Sequence, residues 1–153
     1  MDYNIASHLR LRASSSPDQI ALISPNCCLT FSQLESYTNR CCEALHQIGI
    51  RKGMRTVVML NPGRDFLAIC FSLLQLGAVI VFVDPGMGRK NLEKCLGEAS
   101  PQAFIGVPLA LFACRIFGWA SDSVRIRIAV DRPGWGAIQL KSFLSHIKKG
   151  TSP

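Results

Sequence analysis

Phe66-Leu67-Ala68-Ile69-Cys70-Phe71-Ser72-Leu73-Leu74-Gln75-Leu76-Gly77-Ala78-Val79-Ile80-Val81-Phe82-Val83 runs for 18 residues without a charge. That is long enough for a membrane span. The composition of the run argues against one. Before Gly77 it is built of helix formers, with Ser72 and Gln75 inside it. After Gly77 it becomes β-branched and aromatic. Glycine is a favoured residue just past a helix end, because it adopts the left-handed conformation there. The run therefore reads as a buried helix, residues 64–76, followed by a buried parallel strand, residues 78–83, with both faces covered.

Reading outward from this pair, the same alternation continues. Arg55 to Leu60 is a strand with few polar positions, and Asn61-Pro62-Gly63 turns it into the helix. Downstream, residues 91–99 read as a helix, 102–106 as a strand, and 108–117 as a helix opened by Pro108. Residues 125–130 alternate as a strand, and 138–147 read as an amphipathic helix. Strand, helix, strand, helix, strand, helix, strand predicts a parallel sheet with flanking helices. Upstream, residues 4–14 read as a short helix, and residues 20–24 and 27–31, joined by Pro25-Asn26, as a small hairpin. Ser32-Gln33-Leu34-Glu35 reads as a capping box. It opens a helix with Leu34, Tyr37, Cys41, Leu45 and Ile48 on one face and Gly49 at its end. The expected class is α/β: a largely parallel sheet plus an amino-terminal hairpin.

At 153 residues, the chain has the size of one ordinary domain. Charged residues are 18% and mean hydropathy is +0.23. That excludes a disordered charged tail, and it is apolar for a domain whose whole surface meets water. The net charge of +7 raises nucleic-acid binding. Its distribution speaks against that: seven basic and two acidic residues fall after residue 114, and the only basic runs are pairs without interleaved aromatics. Seven cysteines, an odd number with two adjacent pairs and no C-x-x-C, make no disulfide framework or zinc site. Free thiols, with Cys41 and Cys70 in apolar stripes, imply a reducing, cytoplasmic location. Residues 1–12 carry no apolar run, so no signal peptide is expected.

In a parallel α/β sheet, ligands bind beyond the carboxyl ends of the strands. Two loops lie there, Asn61-Pro62-Gly63 and Asp84-Pro85-Gly86-Met87-Gly88. The second fails the G-x-G-x-x-G pattern, because Asn91 stands at its sixth position. Asp84, a lone carboxylate available to a ribose or a metal, is read as part of a tight turn. There is no Walker A motif, no G-x-S-x-G elbow and no carboxylate pair, and His8, His46 and His146 are scattered.

Leu29-Thr30-Phe31-Ser32-Gln33-Leu34 resembles the first core motif of the adenylate-forming (AMP-binding) superfamily, L-[TS]-Y-x-E-L. Leu74 to Pro85 resembles its second, L-K-A-G-A-x-x-x-P-[LV]-D-P, and Gly49 to Val57 resembles the segment between them. Gly86 to Leu92, with Ala103-Phe104-Ile105-Gly106 and Phe117-Gly118-Trp119, is most similar to long-chain fatty acyl ligases and olefin β-lactone synthetases. Phe31, Gln33, Gln75 and Phe82 depart from the motifs, all at structural positions.

The resemblance implies the amino-terminal α/β subdomain of such an enzyme over residues 1–120. A basic carboxy-terminal segment, 121–153, would then be an incomplete subdomain. The implied parent reaction is ATP plus a carboxylic acid giving acyl-adenylate and pyrophosphate, or β-lactone closure. The superfamily's phosphate loop, its ribose-binding aspartate and its catalytic lysine have no counterpart in this sequence. No catalytic, cofactor-binding or metal-binding residue is therefore expected. ATP and Mg²⁺ belong to a complete family member, and the 153 residues alone are expected to be inactive. The alternative is a non-catalytic subunit or interaction protein pairing with a chain that carries the missing motifs. The expected partners are the remainder of a ligase or a second copy meeting exposed apolar surface, without nucleic acid and without a transmembrane segment.

Overall fold

In a computed structural model, residues 4–134 and 136–150 are described. The two chain ends, residues 1–3 and 151–153, lie outside them, as do the side chains of the Lys148-Lys149 pair. The elements are α1 (Ala6–Ser15), β1 (Ile20–Ser24), β2 (Cys27–Thr30), α2 (Phe31–Ile48), β3 (Arg55–Met59), α3 (Arg64–Leu76) and β4 (Val79–Phe82). A 3₁₀ turn (Pro85–Met87) is followed by α4 (Arg89–Ala99), β5 (Ala103–Gly106), α5 (Pro108–Ile116), β6 (Ile126–Ala129), β7 (Ile138–Gln139) and α6 (Leu140–Gly150).

The uncharged run divides at Gly77, whose φ of 69° caps α3 in the left-handed conformation. Among the described residues no helix is long and apolar enough to cross a membrane.

β3 to β7 form one parallel sheet in the order β4-β3-β5-β6-β7, and β1 and β2 form a separate antiparallel hairpin. The chain steps outward from β3 to β4, then crosses back so that β5 lies on the other side of β3. The helices before and after that reversal lie on opposite faces, as right-handed crossovers require. Leu45 of α2, Ile69 and Leu73 of α3 and Leu140 of α6 cover one face with Val58, Ile105 and Ile128. Leu92 and Leu96 of α4 and Leu111 of α5 cover the other with Val57 and Phe104. Alternate strand residues point to opposite faces, so a sheet covered twice needs apolar side chains at both parities. β5, buried at all four positions, shows this fully.

Three expectations change. The α2 capping box is not Ser32–Glu35. Thr30 is the N-cap: its hydroxyl accepts from the Gln33 amide at 3.3 Å, and the Gln33 side chain accepts from the Thr30 amide at 3.0 Å. The extended backbone that ends β2 already has the N-cap geometry, so the helix starts two residues earlier. Glu35 instead faces Arg10 at 3.8 Å.

Residues 138–147 are not one helix. Ile138 and Gln139 pair with Ile128 and Ala129 as a fifth parallel strand before α6 begins. A two-residue strand has too little sequence to show a period of two.

The strand after Gly77 is not buried on both faces. β4 is a sheet edge, with Val79 48% and Phe82 61% exposed. Of α3, only Ala68, Ile69, Ser72 and Leu73 are fully buried, so that helix is not covered all round.

Candidate functional site

The strand order reverses between β3 and β5, and a crevice opens there at the carboxyl ends of the strands. Asn61-Pro62-Gly63 from the β3–α3 loop forms one wall. Val107, after β5, and Val130 and Asp131, after β6, form the floor and far side. Asn26 and Cys27 of the hairpin turn close it. The cleft holds about 410 Å³.

The hairpin turn is fixed by the Ser24 hydroxyl donating to the Cys27 carbonyl at 3.3 Å. Asp131 is tethered by Lys141, which is not in the cleft lining and donates to the Asp131 carbonyl at 3.1 Å. Gly63, in the cleft wall, precedes α3 as its N-cap without a side-chain cap, so no hydroxyl serves the first-turn amides.

Behind the Arg64 end of the cleft, α2 and α3 share a polar cluster. The Tyr37 hydroxyl donates to Asp65 Oδ1 at 2.8 Å, and Arg64 Nε donates to the same oxygen at 3.0 Å. The Arg64 guanidinium lies 4.6 Å from the centre of the Tyr37 ring, and that of Arg40 lies 5.3 Å from it. Burial raises the Tyr37 hydroxyl above its ordinary value, and Cys41 and Asp65 add to the shift. The phenol therefore stays protonated and remains a donor. Burial pushes the neighbouring Cys41 thiol up to about 12. Burial opposes the charge on Arg64, but the Asp65 carboxylate outweighs it and raises the pKa. The cluster is a positioning device: it holds the start of α3 against α2.

Of the two loops expected to carry chemistry, only Asn61-Pro62-Gly63 reaches the crevice. The loop after β4 stands at the sheet edge. Asp84 is used up there, its carboxylate accepting from the Gly86 amide at 2.8 Å to open the 3₁₀ turn. The three histidines lie on α1, α2 and α6, all exposed. Among the described residues no three His, Cys, Asp or Glu side chains gather to hold a metal ion. All seven cysteines are free, with Cys41 and Cys114 buried and Cys28 exposed. The sequence reading missed the Tyr37–Asp65–Arg64 cluster because Tyr37 stands in an apolar stripe. The available signal was its hydroxyl, which needs a partner when the ring is buried.

The AMP-binding enzyme family matches residues 9–146 of the chain. Among curated proteins, the olefin beta-lactone synthetase of Stenotrophomonas maltophilia (strain K279a) is 40% identical, over 92% of this chain and 28% of its own length. The long-chain-fatty-acid–CoA ligase FadD13 of Mycobacterium tuberculosis is 29% identical, over 70% of this chain and 22% of its own length. Among solved structures, the anthranilate CoA ligase AuaEII in complex with anthranoyl-AMP superposes with a TM-score of 0.83 at 18% identity. It covers 94% of this chain and 28% of that one. The amino-terminal domain of FACL13 from M. tuberculosis superposes at 0.79 and 24% identity, over 93% of this chain and 35% of that one. The chain thus spans little more than a quarter of the length of the first of these relatives.

Proposed function

The chain belongs to the AMP-binding enzyme family, and from that premise we propose that its 153 residues are the amino-terminal α/β scaffold of an acid-activating enzyme. The parent reaction joins a carboxylate to the α-phosphate of ATP, giving acyl-adenylate and releasing pyrophosphate. A fatty acid or a β-hydroxy acid is the substrate class, in line with the two similar relatives, which match 92% and 70% of this chain. The observation that carries the reading is the family match across residues 9–146 combined with coverage of 28% of the relative's length.

The family uses ATP and Mg²⁺. Mg²⁺ is usually held by one or two carboxylates together with substrate phosphates and water, and among the described residues no three His, Cys, Asp or Glu side chains gather to hold an ion by themselves. The scaffold's part is to fix the crevice wall at Asn61-Pro62-Gly63 and the hairpin beside it. The groups that stabilise charge on the transferring phosphate would come from the remainder of a ligase, packed on the apolar edge at β4. A cytoplasmic location suits seven free thiols.

Carboxylate-dependent exchange of pyrophosphate into ATP tests the proposal. The 153-residue chain alone should show no exchange above a blank. Co-expression with the downstream part of the S. maltophilia synthetase should restore it. Exchange by the chain alone, in preparations free of host ligases, would overturn the reading.

A further inference from the structure

A second cleft, of about 410 Å³, lies between α2 and the start of α3, on the Tyr37 side of Arg64. We propose that it binds a phosphate-bearing small molecule, held by the guanidinium groups of Arg40 and Arg64. This inference does not rest on the adenylate-forming reading.

The spacing along α2 sets the site. Ser32, Ser36 and Arg40 stand four residues apart and share one helix face. The Ser32 amide donates to the Pro17 carbonyl at 3.1 Å, but the Ser32 and Ser36 hydroxyls make no hydrogen bond among the described residues, so both are available. The Arg40 guanidinium makes no ion pair among the described residues and lies over the Tyr37 ring, 5.3 Å from its centre. Arg64 approaches from α3. Its Nε is bound to Asp65, which leaves both terminal nitrogens free to donate. Asp65 and the Tyr37 ring together hold Arg64 in place, so little of its freedom is lost on binding.

The cleft lining contains no carboxylate. Asp65 neutralises one of the two guanidinium charges, which leaves a net positive site. Donors from two arginines and two hydroxyls outnumber what the two oxygens of a carboxylate accept. They suit the three terminal oxygens of a phosphate, with which arginine forms bidentate bonds. The volume is that of a small-molecule pocket, with Leu29 as its apolar wall.

The test is titration of the 153-residue chain with inorganic phosphate and pyrophosphate at constant ionic strength, with chloride and acetate as controls, followed by NMR. The proposal expects saturable shifts in the Ser32, Ser36 and Arg40 amides and the Arg64 Nε–H with phosphate or pyrophosphate, and none with chloride. Arg40→Gln and Arg64→Gln should each weaken binding about tenfold, the loss of a charge-assisted bond. Ser36→Asp, at an exposed position, should abolish binding with an unchanged melting curve, because the new carboxylate occupies Arg40. Equal shifts with chloride, acetate binding as tight as phosphate, or undiminished binding by folded Ser36→Asp would each overturn the proposal.

Discussion

Thr30 shows how a single hydroxyl decides where an element begins. Its bond to the Gln33 amide satisfies a donor that the first turn of α2 otherwise leaves open. Thr30→Ala should therefore lower stability by about 1 kcal/mol. Ser32→Ala, two residues into the helix, should stay within about 0.5 kcal/mol. Urea midpoints of the two variants separate the caps; equal losses would restore the Ser32 assignment.

The buried thiols have a pH consequence. Burial pushes Cys41 up to about 12 and Cys70 up to about 11, against an ordinary value of 9.0. The folded state thus holds the neutral thiol more tightly than the unfolded chain does. That stability is fully present below about pH 9 and is lost as pH rises through 11 and 12. Urea midpoints should fall between pH 9 and 11, and the fall should be smaller in Cys70→Ala. An identical fall in that variant would refute the linkage.

At the scale of elements, the boundary between α3 and β4 rests on Gly77. A Cβ there would meet the Lys52 side chain at 3.0 Å, and the φ of +69° strains any L-residue. Gly77→Ala should destabilise by about 1 kcal/mol or more. Gly97, inside α4, has open space around its missing Cβ and an ordinary φ. Gly97→Ala should stabilise by about 0.5 kcal/mol. Thermal melts of the pair provide the check; the same sign for both would show that backbone conformation is not the cause. Helices α2 and α3 approach closely because Ser72 is small. Its hydroxyl lies 2.6 Å from the Ala68 carbonyl and 2.9 Å from that of Thr38 on α2, serving one at a time.

At the scale of the whole molecule, apolar surface remains uncovered. β4 presents Val79 and Phe82 at the open edge of the sheet, and α5 presents Leu109 and Ile116, 76% and 58% exposed. Natural sheets protect such edges with charge or cover, and β4 has neither among the described residues. The isolated chain should bind a hydrophobic dye and self-associate, and Phe82→Lys should reduce both. Light scattering and dye fluorescence on the two proteins measure this. A monodisperse wild-type chain without dye binding would show that its surface needs no partner.

The sequence by itself determined the class and every helix, and every strand but β7, which it merged into α6. The glycines at 49 and 77 marked helix ends, because glycine adopts the left-handed conformation there without strain. Apolar runs too short for a membrane helix on either side of Gly77 forced a helix and a strand. Those are local properties, carried by neighbouring residues. Which strand lies beside which was decided by the tertiary structure alone. Val79-Ile80-Val81-Phe82 is as apolar as any central strand, yet the reversal after it puts β4 at the edge and β5 at the centre. The β3–β5 crevice follows from that reversal, and the meeting of Tyr37 with Asp65, 28 residues away, follows from α2 packing against α3 on one face of the sheet. Long-range pairing of this kind has no period in the sequence. It is fixed by how the crossovers pack and which faces they cover.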